Sequence, residues 1–189
     1  MSAPTIRITR LHPRDAGAFK RFRLQAIADS PAAHPMTEAE ERRATDDGFA
    51  ARLSGPPGAE RFVLVAHDGQ DAAGFDERSW LGACGFYRQS GAQMAHIGWF
   101  WGLHVVPARR RSGIASSLLR SALQNLTTID NLAQAQARVG IENLAAQRTF
   151  VRAGFDSVAI LPRAVRIGAR EHDEVLYVHR IDPERPRPA

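Results

Sequence analysis

The sequence predicts an α+β fold: a mixed, mostly antiparallel sheet of about six to seven strands with helices on both faces. Three observations carry this. Seven short segments are apolar or alternate in polarity. Amphipathic stretches follow the first of them. A strand–helix–strand unit occupies the second half. A chain of 189 residues is long enough for a full core, and one domain over residues 1–182 is expected, with residues 183–189 a disordered tail.

Thr5 to Leu11 (TIRITRL) alternates and reads as a half-buried strand. Pro13 and Asp15 open a helix whose Phe19, Phe22, Ala26 and Ile27 share one face. Asp29-Ser30-Pro31 closes it, because a residue before proline leaves the helical region. The irregular segment 30–37 follows, with His34 and Met36 as pocket or loop residues. Thr37-Glu38-Ala39-Glu40 is a capping box that starts a second short helix. A further helical turn from about Asp47 carries Phe49 and Leu53 four apart and stops at Ser54-Gly55-Pro56-Pro57.

Phe62 to Ala66 is a buried strand, and Asp68-Gly69 a turn. Gln70 to Ser79 reads as a polar loop. Trp80 to Arg88 and Met94 to Val106 are strands separated by Ser90-Gly91. The second contains Gly98 and Gly102, and glycine inside a strand marks a bulge or a close backbone approach. Ala133 to Val139 is a strand of small residues. Asn143 to Ala153 is a helix ended by Gly154. Val158–Ile167 and Glu174–Ile181 are the last two strands, joined by a loop at 168–173.

Composition narrows the function. No apolar run is long enough to cross a bilayer, and the N-terminus lacks the apolar core of a secretion signal. A cytoplasmic protein with no membrane contact is expected. Cys84 is the only cysteine, which leaves no intramolecular disulfide and no thiolate metal cluster. No metal site is expected, and Cys84 reads as a small core residue. The net charge is +5, and Lys20 is the only lysine. The positive charge is therefore almost entirely arginine, by compositional bias or for a polyanionic partner. Its even spread argues against a nucleic-acid patch, with Arg109–Arg111 the exception.

That exception lies in Leu103–Leu126, an apolar strand, a tight basic turn and an amphipathic helix. This layout suits an anion, because the first amides of a helix have no intrahelical acceptor. Gly113 permits close approach of a phosphate, and Ser112 is a candidate cap. Ile114, Leu118, Leu119, Ala122, Leu123 and Leu126 form the face that packs on the sheet.

Arg110-Arg111-Ser112-Gly113-Ile114-Ala115 fits the pattern Arg/Gln-x-x-Gly-x-Gly/Ala. Downstream stands Asn143-x-x-Ala146-x-x-Thr149-Phe150-x-x-x-Gly154-Phe155. In this order, the two blocks resemble the GNAT superfamily of acyl-CoA-dependent N-acyltransferases. Arg23 to Pro31 is similar to the first helix and following loop of many members, and Pro162–Arg166 with Asp173–Val175 to a common closing hairpin. The resemblance covers nearly the whole chain.

It implies acetyl-CoA as co-substrate. The pyrophosphate would be held by Arg110, Arg111, Ser112, Gly113, Ile114, Ala115 and Ser116. The pantetheine arm would lie along the backbone of Leu103 and Val105, and Phe150 would pack against the cofactor. Asn143 would face the arm, cap the helix, or do both. Many members have a Tyr acid where Phe150 stands, and a Glu on the bulged strand where residues 97–101 (IGWFW) have no carboxylate. His96 and His104 are the remaining candidate bases. His34, Trp99 and Trp101 are candidate contacts for the amine acceptor.

The resulting expectation is acetyl transfer from acetyl-CoA to a primary amine of unspecified identity, by direct attack in a ternary complex. One alternative is a degenerate acyl-CoA-binding module or sensor. A nucleic-acid-binding protein is the other. A homodimer is compatible with the sheet type.

Overall fold

The computed structural model describes residues 6–68 and 77–181. The expected strand residue Thr5, most of the expected loop at 70–79 and the expected C-terminal tail lie outside the described residues. In chain order the elements are β1 (Arg7–Arg10), α1 (Ala16–Asp29), α2 (Glu38–Arg43), α3 (Asp46–Leu53), β2 (Arg61–His67), β3 (Trp80–Arg88) and β4 (Ile97–Val105). Then come α4 (Ile114–Leu126), β5 (Gln134–Gly140), α5 (Leu144–Arg152), β6 (Asp156–Ile167) and β7 (Arg170–Arg180). All seven strands share one sheet in the order β1-β2-β3-β4-β5-β7-β6. Among the described residues, only the β4–β5 pair is parallel.

Local sequence explains the helix ends. Thr37 Oγ1 accepts the Glu40 amide at 3.2 Å, and Glu40 accepts the Thr37 amide at 2.7 Å, closing the capping box of α2. At the end of α5, Gly154 has φ +86°. The Phe155 amide reaches the Phe150 carbonyl and the Gly154 amide reaches that of Val151. This is a Schellman motif, and its apolar clasp is the edge-on contact of Phe150 and Phe155 at 5.0 Å. The last hairpin turns tighter than its sequence suggests. Ile167 pairs with Arg170 across Gly168-Ala169 alone, because Gly168 adopts φ +61°.

Two cores lie on the two faces of the sheet. Leu118, Leu119, Ala122 and Leu126 of α4 and Phe150 of α5 pack on Phe86, Phe100, Ala135, Ala137 and Tyr177. On the other face, Phe19 and Phe22 of α1 and Phe49 and Leu53 of α3 pack on Val63, Val65, Trp80 and Ala83. Cys84 is fully buried, and burial pushes its thiol up to about 12, so it is a packing residue and not a nucleophile.

One irregularity in β4 positions everything that follows. Ala83 stands opposite His104, while Gly85 stands opposite Trp101. The single residue Cys84 is therefore opposed by two, Gly102 and Leu103. Gly102 carries the extra residue at φ +62°, a conformation that suits glycine. The insertion reverses the alternation of side chains. Trp101 packs with α1 and α3, yet Leu103 and Val105 pack with the α4 core. Gly98 has a different cause. A Cβ there would stand 2.2 Å from the Phe86 ring, so it is a close-approach glycine and not part of the bulge.

The sheet opens just before the bulge. β4 pairs with β5 only over Ile97–Trp99 against Gln134–Gln136. From residue 100 onward β4 has β3 on one side only. β5 continues on β7 over its full length.

Helix α1 is tied to this opening by a buried ion pair. Arg23 and Glu41 are 4% and 1% exposed and meet at 2.9 Å. Glu41 also accepts from Arg52 of α3 at 2.7 Å. The Arg23 guanidinium lies 5.4 Å from the Trp101 ring centre, and its Nη1 is 3.1 Å from where a Gly102 Cβ would be. Removing one member of a buried pair strands the other charge. Glu41→Ala is expected to lower the unfolding free energy by about 3–5 kcal/mol in urea titration. A loss under about 1 kcal/mol, the scale of an exposed pair, would contradict this reading.

Candidate functional site

Where β4 and β5 part, a cleft of about 940 Å³ opens. Its walls are Leu103–Val105 of β4, the turn Arg109–Arg111 with Gly113–Ser116, Gly140–Asn143, and α5. Ser30–Ala33 and Val165, His172 and Asp173 of the β6–β7 hairpin complete it. A second space of about 60 Å³ adjoins it on the α1 side. The two share Ala32, Ala33, Leu103, Gly140, Asn143, Ala146 and Val165, so the small space continues the large one.

The N-terminus of α4 faces this cleft. Its N-cap is Gly113 at φ +84°, with no side-chain cap. Ser112 does not cap it, since its hydroxyl donates to the Arg109 carbonyl at 2.6 Å. The Ser117 amide is the first to reach back into the helix, to the Gly113 carbonyl. The amides of Ile114, Ala115 and Ser116 precede that first bond. Nothing lies within 4 Å of where a Gly113 Cβ would stand. The buried Ile114, Leu118 and Leu119 anchor the helix, so this end is rigid and its dipole favours an anion.

The three arginines divide in role. Arg109 pairs with Asp68 at 3.0 Å. Arg110 donates through Nε to the Val105 carbonyl at 3.1 Å and through Nη2 to Ser30 Oγ at 2.9 Å. It therefore braces the turn against β4 and the end of α1. Arg111 is exposed with φ +64°. Arg148 and Arg152, four apart on α5, line the same cleft. Nothing in the linear pattern singles them out, and only the packing of α5 brings them there.

Asn143 lines both spaces, and its Oδ1 accepts the Ala146 amide at 3.2 Å. It is the N-cap of α5, which leaves its NH₂ as the group available to a ligand. Phe150 is 4% exposed, packs between Phe155 and Tyr177, and lines the small space. It offers no hydroxyl there.

The expected acceptor-side residues separate. His34 and Trp101 line the small space. Trp101 lies where a Gly85 Cβ would be 2.3 Å from its ring, so that glycine makes room for the indole. Trp99 lines neither space and stacks with Arg138 at 5.2 Å. Met36 is 40% exposed and also lines neither.

The two candidate bases part company as well. His96 is exposed in the turn before β4. Its carbonyl receives the amides of Ala133 and Gln134, at the opposite end of β4 from the cleft. His104 lines the cleft but is 6% exposed, edge-on to Phe22 and 6.2 Å from the His34 ring. Burial outweighs the pull of Asp29, at 3.5 Å, and pushes its pKa down to about 4. His34 falls to about 4 through burial and the charge of Arg23, whose guanidinium donates to Nδ1 at 3.1 Å. Both imidazoles are neutral near pH 7 and are weak proton acceptors.

Two further charged groups line the small space, Arg138 of β5 and Glu174 of β7. Burial raises the Glu174 carboxyl above its ordinary range, and the charge of Arg138 offsets this only in part.

A family model described as an acetyltransferase (GNAT) domain matches residues 5–156. No curated protein sequence matches the chain. The fold is similar to that of an acetyltransferase of the GNAT family from Streptococcus pneumoniae. The TM-score is 0.77 at 18% identity, over 94% of this chain and 100% of that one. It is also similar to yncA, a putative acetyltransferase from Salmonella typhimurium with its cofactor acetyl-CoA. There the TM-score is 0.73 at 19% identity, over 97% and 98% of the two chains. For Arabidopsis thaliana NAA60 in complex with a bisubstrate analogue, the TM-score is 0.70 at 18% identity, over 95% and 100%.

The buried histidines predict an acid-labile fold. An unfolded imidazole titrates near 6.5 and binds its proton before the folded one does. Their contribution is complete above about pH 6.5 and is lost as pH falls toward 4. Urea unfolding is expected to lose stability by up to about 1.4 kcal/mol per pH unit for each histidine over that window. A midpoint that stays constant from pH 7 to 5 would contradict the neutral, buried assignment.

Proposed function

The chain belongs to the GNAT acetyltransferase family, and we propose that it moves an acetyl group from acetyl-CoA to a primary amine by direct attack in a ternary complex. The observation that carries the reading is the uncapped N-terminus of α4 at the mouth of a cleft between two diverging strands. Free amides, a glycine with open space beside it and surrounding arginines suit a pyrophosphate. The amides of Gly113, Ile114, Ala115 and Ser116 hold it, with Arg111 and Ser112 beside them and Arg110 bracing the turn. Arg148 and Arg152 supply further positive charge for a phosphorylated ligand along the same wall.

The rest of the carrier follows the cleft inward. Leu103 and Val105 present backbone on the side of β4 that β5 has left. The Asn143 amide meets the arm from the opposite wall, and Phe150 closes its inner end. The Gly102 bulge is where the arm reaches the small space, so the thioester and an amine from the α1 side come together there. Much of the acceleration then comes from holding the two reactants in register. A thiol with an ordinary pKa of about 8.5 is a tolerable leaving group, which fits Phe150 at the acid position. Cys84 is buried and inert, so no acyl-enzyme is formed through it.

The same Phe150, with no carboxylate between residues 97 and 101, favours a second reading, an acyl-CoA-binding module without turnover. Amine-dependent release of CoA separates the two. Release above background across a panel of primary amines supports transfer, and binding without release supports the module.

Two substitutions test the cofactor site. Gly113→Ala and Gly113→Glu share the cost of a side chain at φ +84°, but only the second adds a carboxylate beside the open amides. Titration with acetyl-CoA is expected to show near-native affinity for Gly113→Ala. For Gly113→Glu the loss is expected to be about 100-fold, or about 2.7 kcal/mol. Equal affinities for the two variants would remove the pyrophosphate from this position.

A further inference from the structure

We propose that Glu174 is the proton acceptor for the attacking amine, and that the small space beside it takes the head of an aliphatic primary ammonium. This rests on the acetyl-transfer reading above. The geometry is a meeting of two strands that are not neighbours. Glu174 on β7 and the Gly102–Leu103 bulge on β4 line one space of about 60 Å³, although β5 runs between their strands. They meet because β5 parts from β4 after Trp99. Gly140 stands opposite Glu174 on β5. A Cβ on Gly140 would meet nothing within 4 Å, so this glycine keeps the way between carboxylate and cleft open.

The size and chemistry of the space select the ligand. A water molecule's share of liquid volume is about 30 Å³, so the space holds an ammonium and one or two carbons. Trp101 and Val165 supply apolar walls for the carbons. Among the described residues, no side chain hydrogen-bonds or ion-pairs with Glu174, and Arg138 is held aside over the Trp99 ring. Of the groups lining the space, His34 is a poor base, since its pKa is pushed down to about 4, whereas burial raises Glu174. Among the described residues, Glu174 is therefore the one carboxylate lining this space, and it has no side-chain partner to compete with an ammonium.

The step balances as follows. Glu174 removes one proton from the bound ammonium. The neutral nitrogen attacks the thioester carbonyl, a C–N bond forms and the C–S bond breaks, with its electron pair leaving on sulfur. The second proton released from nitrogen passes through solvent to the thiolate, and Glu174 returns its proton to solvent.

Two nucleophiles separate a base from a structural carboxylate. Ethylamine is protonated near neutral pH and needs a base. Hydroxylamine is largely neutral there and does not. With acetyl-CoA saturating and the uncatalysed reaction subtracted, the wild type is expected to release CoA with both. Glu174→Gln is expected to lose about 10²–10⁴-fold in kcat with ethylamine, and to retain hydroxylamine turnover and acetyl-CoA affinity. Equal loss with both nucleophiles, or loss with neither, would overturn the assignment. So would a wild type that turns over hydroxylamine and not ethylamine. A wild type that fails to bind acetyl-CoA, or that binds it and releases CoA with neither nucleophile, would instead overturn the acetyl-transfer reading itself.

Discussion

The extra residue at Gly102 is the constraint on which the rest of the molecule depends. It costs a left-handed backbone conformation and reverses the phase of β4. In return, Trp101 stays with the helices of one face while Leu103 and Val105 turn to those of the other. The kink lies in the part of β4 that β5 has left, since the parallel ladder ends at Trp99 after three residues. The cleft is thus a consequence of strand geometry and not of a missing element. The backbone groups it exposes would be costly in a closed core, so a ligand that pairs with them is the expected complement.

The buried charges keep that opening in place. Arg23 touches each part of the arrangement: Glu41 of α2, His34 of the following loop, the Trp101 ring and the space beside Gly102. Burying a guanidinium is expensive unless its hydrogen bonds are met, and here they are met by groups on two other elements. The contacts therefore fix where α1, α2 and the segment 30–37 sit over the splayed strands. Arg110 does the same from the other side through Val105 and Ser30. One turn thus carries both the braces of the cleft and the open helix end that faces it.

Much of this was legible in the sequence where a local rule fixes the outcome. The capping box at Thr37, the stop at Gly154 and the buried stripe of α4 each follow from residues within one or two turns. The bulge glycine could be placed on its strand, but Gly98 and Gly102 look alike in one dimension. Only Phe86, on the neighbouring strand, distinguishes them. Ser112 is a good cap by residue type, yet it bonds backward to Arg109 and leaves the helix end to Gly113. Of two histidines expected on one strand, His96 falls in the turn before it and His104 beside the cleft. Glu174, Arg148 and Arg152 carry no local signal, since their place depends on which strands separate and how α5 packs.

Amide hydrogen exchange with and without acetyl-CoA tests the central claim most directly, namely that the strand splay and the open end of α4 form one binding site. Protection is expected at two separated segments together, Leu103–Val105 and Gly113–Ser116, with the edge strand β6 beyond Val165 unchanged. Protection confined elsewhere, or none at the α4 end when acetyl-CoA is bound, would contradict it.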